Sequence, residues 1–277
     1  MAADEGYLLG NREGAAGRRL RALSALFDPG TFRLVDELGI AAGTRCWEVG
    51  AGSRTVPDGL AARVGPTGLV VATDIDTTWL GAGVDQLRVV RHEVGVEPPP
   101  GEGFDLVHAR LVLTHVPRRD RALADMAAAL RPGGWLVLEE ADPGLQPLLC
   151  PDEYGPAQVL ANRLRHGFRE LMAARGADLA LGRRLPRLLR GQGLVDVAAD
   201  ARFPITGPAC TVLEVATVEQ IRGRLVDGGI ATAADVDEHL ANLAAGRVPD
   251  LATSPMVAAW GRRAPGPGDG AALDRAP

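Results

Sequence analysis

Thr44-Arg45-Cys46-Trp47-Glu48-Val49 runs directly into Gly50-Ala51-Gly52, and this stretch decides the fold. An apolar segment that carries one acid and stops at glycines reads as a strand ending in a nucleotide-type binding edge. Two more apolar runs follow. Gly68 to Thr73 ends in Asp74, and Leu87 to His92 ends in Glu93, so three successive strands each deliver a carboxylate. Helix-like periods alternate with the strand-like runs, which predicts an α/β sheet with helices on both faces.

A glycine turn between strand and helix also binds pyrophosphate in dinucleotide enzymes. The detail separates the two readings. A dinucleotide fingerprint spaces its glycines G-x-G-x-x-G, whereas position 55 here is Thr55. The three acids are better explained by a cofactor without pyrophosphate. S-adenosylmethionine fits: the glycine turn suits its aminoacyl part, Asp74 its ribose diol, and Glu93 or its neighbours the adenine amine. A nicotinamide-dependent reductase is disfavoured again by the lack of a Tyr-x-x-x-Lys pair in a chain without Lys.

Four motifs in order carry a resemblance. They are Glu48-Val49-Gly50-Ala51-Gly52, Val71-Ala72-Thr73-Asp74-Ile75-Asp76, Phe104-Asp105-Leu106-Val107-His108-Ala109-Arg110, and Leu130-Arg131-Pro132-Gly133-Gly134-Trp135-Leu136-Val137-Leu138-Glu139-Glu140. Over about residues 45–142 the chain resembles the class I S-adenosylmethionine-dependent methyltransferases, particularly the actinobacterial small-molecule, natural-product tailoring type. The resemblance implies a Rossmann-like, seven-stranded, mostly parallel sheet whose last strand is antiparallel. It places Glu48, Gly50, Ala51 and Gly52 by the methionine moiety, and Asp74 with Ile75 at the ribose. Glu93 and Val94 would flank the adenine, with Ala109 and Arg110 beside the sulfonium. A protein of this fold that binds the cofactor without transferring methyl, or catalyses another reaction, is the alternative.

Arg54 stands where many members carry a small residue. It either pairs with the cofactor's carboxylate or points outward as a solvated charge. Thr55 and Asp58 resemble a capping pair, and Pro57 is tolerated in a first helical turn, where its missing donor would be unsatisfied anyway.

Composition bounds the rest. The 277 residues are 46% hydrophobic and 23% charged, enough for one large core. All 30 basic residues are Arg, which points to GC-rich coding, and the net charge of −5 argues against a nucleic-acid partner. Cys46, Cys150 and Cys210 form no C-x-x-C pair, so a reducing cytoplasm is the expected compartment. No run approaches the roughly 18 apolar residues of a membrane span.

The organisation expected is an N-terminal helical cover over 1–40, a methyltransferase domain over 41–264, and a disordered tail over 265–277. Helical lid insertions are expected near 151–182 and 210–245, enclosing a pocket for a partly apolar small molecule. The N-terminal helix is expected to break at Asp28-Pro29-Gly30. Leu123, Met126, Ala127 and Leu130 fall on one helical stripe. Tyr7 and His115 are candidates for the substrate pocket. Glu140 and His166 are the candidate general bases, although Glu140 suits a capping role equally and His166 a solvated face. Asp105 begins its strand and reads as structural. No His/Asp/Glu spacing suggests a metal site. A homodimer through the N-terminal helices and a monomer both satisfy the sequence.

Overall fold

The computed structural model describes residues 14–83 and 85–266. Tyr7 and the tail beyond residue 266 lie outside them. The chain divides into two compact units. One comprises Thr31–Glu140, Arg183–Asp200 and the described residues from Val257 onward; the other comprises the described residues up to Gly30, Ala141–Gly182 and Ala201–Met256.

The elements in order are α1 (Gly14–Glu37), β1 (Arg45–Val49), α2 (Thr55–Val64), β2 (Leu69–Asp74), β3 (Leu87–Arg91), β4 (Phe104–Arg110), α3 (Arg119–Ala129), β5 (Leu130–Ala141), α4 (Pro156–Ala174), α5 (Leu181–Gly191), β6 (Val195–Arg202), α6 (Pro208–Asp227), α7 (Ala233–Ala244) and β7 (Met256–Arg262). A 3-10 turn spans Leu113–His115. The strands form one seven-stranded sheet in the order β3-β2-β1-β4-β5-β7-β6. β1 pairs in parallel with both β2 and β4, β2 with β3, and β4 with β5. The last strand is the antiparallel one, as expected: Gly133 N–H donates to Arg263 O and Arg263 N–H to Gly134 O, both at 2.9 Å.

The order reverses direction between β1 and β4. A ligand crevice opens at such a switch point, outside the carboxyl ends of the strands. The Gly50-Ala51-Gly52 turn lies there because it follows β1.

The strands hold because they are apolar on both faces. Cys46, Val70, Ala72, Leu106 and Val137 pack in one core with Val56, Leu60 and Val64 of α2 and Leu34 and Val35 of α1. On the other face Trp47, fully buried, lies edge-on to His92 at 5.7 Å between ring centroids. Its indole N–H donates to Thr73 Oγ1 at 2.9 Å, which satisfies the one polar atom of the ring.

In the other unit, Leu160 and Leu164 of α4 pack with Val218, Ile221 and Leu225 of α6 and Val236 of α7.

Three local expectations are corrected. α1 runs unbroken through Pro29. A proline inside a helix costs about 3 kcal/mol, and burial of Phe27, Leu34 and Val35 on either side of it offsets that cost. Leu130 leaves the helical stripe: it is the C-cap of α3, in extended conformation, and pairs with Phe104. Pro132 two residues on disfavours helix at Arg131. Thr55 does not cap α2. The N-cap is Arg54, with helical backbone angles and no side-chain cap, and these angles put Thr55 inside the first turn.

Candidate functional site

The ends of β1, β2, β3 and β4 in the sheet unit hold most of the residues expected around a cofactor. Gly50 and Gly52 both have φ of 61°, a left-handed conformation that favours glycine. A Cβ on Gly50 would stand 2.4 Å from Val112 Cγ2, so the turn after β1 sits close against the segment after β4. Ala51 N–H donates to Thr73 O at 3.0 Å and closes the turn onto β2.

Asp74, at the end of β2, is 7% exposed. Its Oδ2 accepts from Gly52 N–H and its Oδ1 from Asp76 N–H, each at 2.9 Å. Burial pushes its carboxyl above the ordinary value, and the two backbone donors work against that rise. The carboxylate therefore joins two of the strand ends. Each of its oxygens keeps further acceptor capacity, since a carboxylate offers about four lone-pair positions.

Ile75, next in sequence, is 56% exposed, and Trp79 and Val96 are exposed as well. Glu93 is exposed and Val94 buried. Glu93 N–H donates to Glu97 Oε2 at 2.6 Å, closing the bend after β3. Sequence reasoning passed over Trp79 and Val96, because isolated apolar residues in loops carry no periodic signal.

Glu48 and Arg110 both have partners within the protein. Glu48 is 2% exposed, and its Oε2 lies 2.6 Å from Nδ1 of His108, its register partner on β4. Arg110 donates to Thr31 Oγ1 at 3.1 Å and lies 3.9 Å from Glu139. Glu139 also accepts from Thr31 Oγ1 at 2.6 Å and stands 3.4 Å from His108 Nε2. Burial works against a charge on His108, but the two carboxylates outweigh it and hold its pKa up at about 9. Burial also raises Glu48 against the pull of His108, whereas for Glu139 the His108 bond and charge prevail over burial and lower it. His108 cannot serve as an accessible base. Ala109 is buried between these side chains in sequence. Leu111 follows with φ of 59°, a strained conformation for a branched side chain at the ligand edge.

The two candidate bases fall in different settings. Glu140 is 1% exposed; its oxygens accept from Leu113 N–H at 2.6 Å and Thr114 Oγ1 at 2.8 Å, so it caps the 3-10 turn. Burial lifts its pKa to about 7 in spite of these donors. His166 is exposed on α4 and pairs with Glu170 at 3.2 Å, one helical turn away. His115 is exposed at the end of the 3-10 turn. Asp105 accepts from Arg45 N–H at 2.7 Å and pairs with Arg131, a structural role.

Arg54 does not point outward as a solvated charge. It donates to Asp58 Oδ1 at 2.9 and 2.7 Å and to the carbonyls of Leu80, at 3.0 Å, and Ala82. It thereby fastens the start of α2 to the loop after β2. Among the described residues no group of His, Cys, Asp and Glu has the geometry to hold a metal ion. No described helix is long and apolar enough to cross a membrane.

Comparison with known proteins agrees with this geometry. A family model described as a methyltransferase domain matches residues 11–198. The ubiquinone/menaquinone biosynthesis C-methyltransferase UbiE of Ectopseudomonas mendocina is 35% identical over 122 residues, 40% of this chain and 47% of that protein. The enzyme of the same name from Hahella chejuensis is 30% identical over 124 residues, 42% of this chain and 50% of that protein. The chain thus spans about half the length of these curated relatives. Among solved structures, phosphoethanolamine N-methyltransferase 2 of Haemonchus contortus superposes with a TM-score of 0.54 at 13% identity, over 91% of this chain and 58% of that one. A methyltransferase-like protein of Bacillus halodurans superposes with a TM-score of 0.53 at 15% identity, over 84% of this chain and 98% of that one. At such identities the superpositions speak for the fold. The family match extends over well more than half of the sequence, and the chain belongs to the methyltransferase-domain family.

Proposed function

We propose that this protein is an S-adenosylmethionine-dependent methyltransferase acting on a partly apolar small molecule. The observation that carries the reading is the carboxylate of Asp74, tied to Gly52 N–H at 2.9 Å and set beside the exposed side chain of Ile75. That combination suits an adenosyl group. The ribose hydroxyls find an anionic acceptor with lone pairs to spare, and the flat base finds apolar surface at Ile75.

When bound, the cofactor supplies a methyl group already activated on a sulfonium. The chain's own contribution is then to position the reactants and exclude water, and positioning of this kind can lower a barrier by about 7–11 kcal/mol. No general base is required where the acceptor atom has already lost its proton. Glu140 and His166, the two candidates, are engaged in capping and in a helical ion pair.

The acceptor is a small molecule rather than a nucleic acid, in keeping with the acidic charge balance. A role in specialised-metabolite biosynthesis is part of the same proposal. The curated relatives are named as C-methyltransferases, and carbon is therefore the first acceptor atom to examine, ahead of oxygen and nitrogen. Incubation with S-adenosylmethionine and a panel of phenolic, quinone and amine acceptors, followed by release of S-adenosylhomocysteine, tests the reading. Acceptor-dependent release supports it. Tight cofactor binding with no release from any acceptor would favour a protein that uses the fold for another purpose.

A further inference from the structure

Arg54 puts a positive charge at the N-cap of α2, where the partial positive charge of a helix N-terminus disfavours a cation. Its side chain is nevertheless fixed. Nε and Nη2 donate to Asp58 Oδ1, and Nη1 donates to the carbonyls of both Leu80 and Ala82. Four of the five N–H donors of the guanidinium are thus engaged. Asp58, in the first turn of α2, supplies the compensating charge. An exposed ion pair one helical turn apart contributes little by itself, so the weight of the arrangement lies with the two carbonyls that Asp58 keeps the guanidinium aimed at.

Those carbonyls belong to the loop 75–82, which leaves β2 at Asp74. At its far end Leu80 is fully buried, and Gly81, between the two carbonyls, has φ of 61°. At its near end Asp76 N–H donates to Asp74 Oδ1, and Thr78 N–H donates to Asp76 Oδ1 at 3.0 Å. The other oxygen of Asp74 accepts from Gly52 N–H, two residues before Arg54. Each oxygen of Asp74 therefore takes its bearing from one of two segments, the glycine turn and the loop after β2, and Arg54 is a second clasp between the same two segments.

We propose that Arg54 is a positioning residue for the adenosine half of the cofactor: it clasps the loop 75–82 to the start of α2 before a ligand arrives, so that Asp74 and Ile75 stand preformed for the ribose and the base. The proposal rests on the reading of the protein as a binder of S-adenosylmethionine. Arg54 acts through the loop and touches no part of the cofactor.

Limited proteolysis and ligand titration together read this role. Chymotrypsin cleaves after aromatic residues and leucine, and the loop offers it Trp79 and Leu80. Arg54→Met keeps the length of the side chain but removes every donor. Where opening is fast, cleavage tracks the open population, and Arg54→Met is expected to be cut after Trp79 or Leu80 about tenfold faster than wild type. Two ligands locate the effect: S-adenosylhomocysteine carries the amino-acid end, whereas 5′-methylthioadenosine shares the adenosine and the sulfur but lacks that end. Saturation with either should return the cleavage of the variant to near the wild-type rate. Because a ligand that selects a partly populated state binds more weakly in proportion, calorimetric affinity for both ligands is expected to fall by the same factor, about threefold to tenfold.

Unchanged cleavage of the loop, or faster cleavage with unchanged affinity, overturns the proposal. A loss confined to S-adenosylhomocysteine also overturns it, since that would place Arg54 at the amino-acid end. In each of these cases cofactor binding by the wild type stands, whereas wild-type protein that binds neither ligand overturns the methyltransferase reading and this proposal with it. Should Arg54→Met fail to fold, Asp58→Ala, which releases the guanidinium from its anchor, carries the same comparison in the same direction.

Discussion

Asp74 Oδ2 accepts from the backbone N–H of Gly52 at 2.9 Å, so the acid that ends β2 also holds the turn that follows β1. One side chain thus shapes the crevice and offers it a charge. Asp74→Asn keeps the size of the side chain but removes the anionic acceptor. Since a hydrogen bond to a charged group contributes about 1.5–3 kcal/mol, affinity is expected to fall roughly tenfold to a hundredfold. The fall should be the same for S-adenosylhomocysteine and methylthioadenosine, both of which carry the ribose, and titration of the two against the variant checks it.

Gly50 is constrained twice, by its φ of 61° and by the 2.4 Å that would separate a Cβ from Val112 Cγ2. Gly50→Ala is expected to lower stability by about 2 kcal/mol or more, combining about 1–2 kcal/mol of left-handed strain with overpacking. Gly50→Ala with Val112→Ala removes the clash and leaves the strain. Thermal unfolding of the pair should therefore recover part of the loss; full recovery would mean that the backbone conformation does not matter.

The buried imidazole makes stability depend on pH. His108 has its pKa raised from 6.5 to about 9 by Glu48 and Glu139. A group raised in this way binds its proton more tightly in the folded state, so its contribution is fully present below pH 6.5 and is lost as pH rises through 9. A tenfold change in proton affinity is worth about 1.4 kcal/mol, and the contribution at stake is therefore on the order of 3 kcal/mol. Urea unfolding of the wild type should show stability falling between pH 6.5 and 9, and His108→Gln should flatten that slope. A variant with the wild-type slope would contradict the assignment.

The helical unit has its own buried charge group. Glu214 of α6 accepts from Arg165 of α4 at 2.7 Å and from His239 of α7 at 3.1 Å. Burial opposes its charge, but Arg165 and His239 prevail and lower its pKa to about 2. Removing one partner of a buried pair leaves an uncompensated charge, at a cost of about 3–5 kcal/mol. Arg165→Met is therefore expected to destabilise the protein by about that amount, and Arg165→Met with Glu214→Leu to recover most of it. Equilibrium unfolding of both variants decides the point.

The sequence carried the sheet well because its strands are continuous apolar runs ended by glycine or acid, and that signal is local. Asp74 was legible for the same reason, standing at the boundary between β2 and its loop. Local signals misled where packing overrides them: Pro29 sits inside a helix that its buried neighbours hold together. The pairing of Glu48 with His108 depends on the register of two strands 60 residues apart. No motif spacing encodes that register. Glu140 was visible as an acid at a strand end, but its partners at Leu113 and Thr114 come from a 3-10 turn with no sequence signature.

Calorimetric titration of the purified protein with S-adenosylmethionine and S-adenosylhomocysteine, with NAD and NADP alongside, tests the central claim most directly. The account predicts micromolar binding of the first pair and none of the second. Binding of NAD or NADP in place of the adenosyl ligands, or of none of the four, would contradict it.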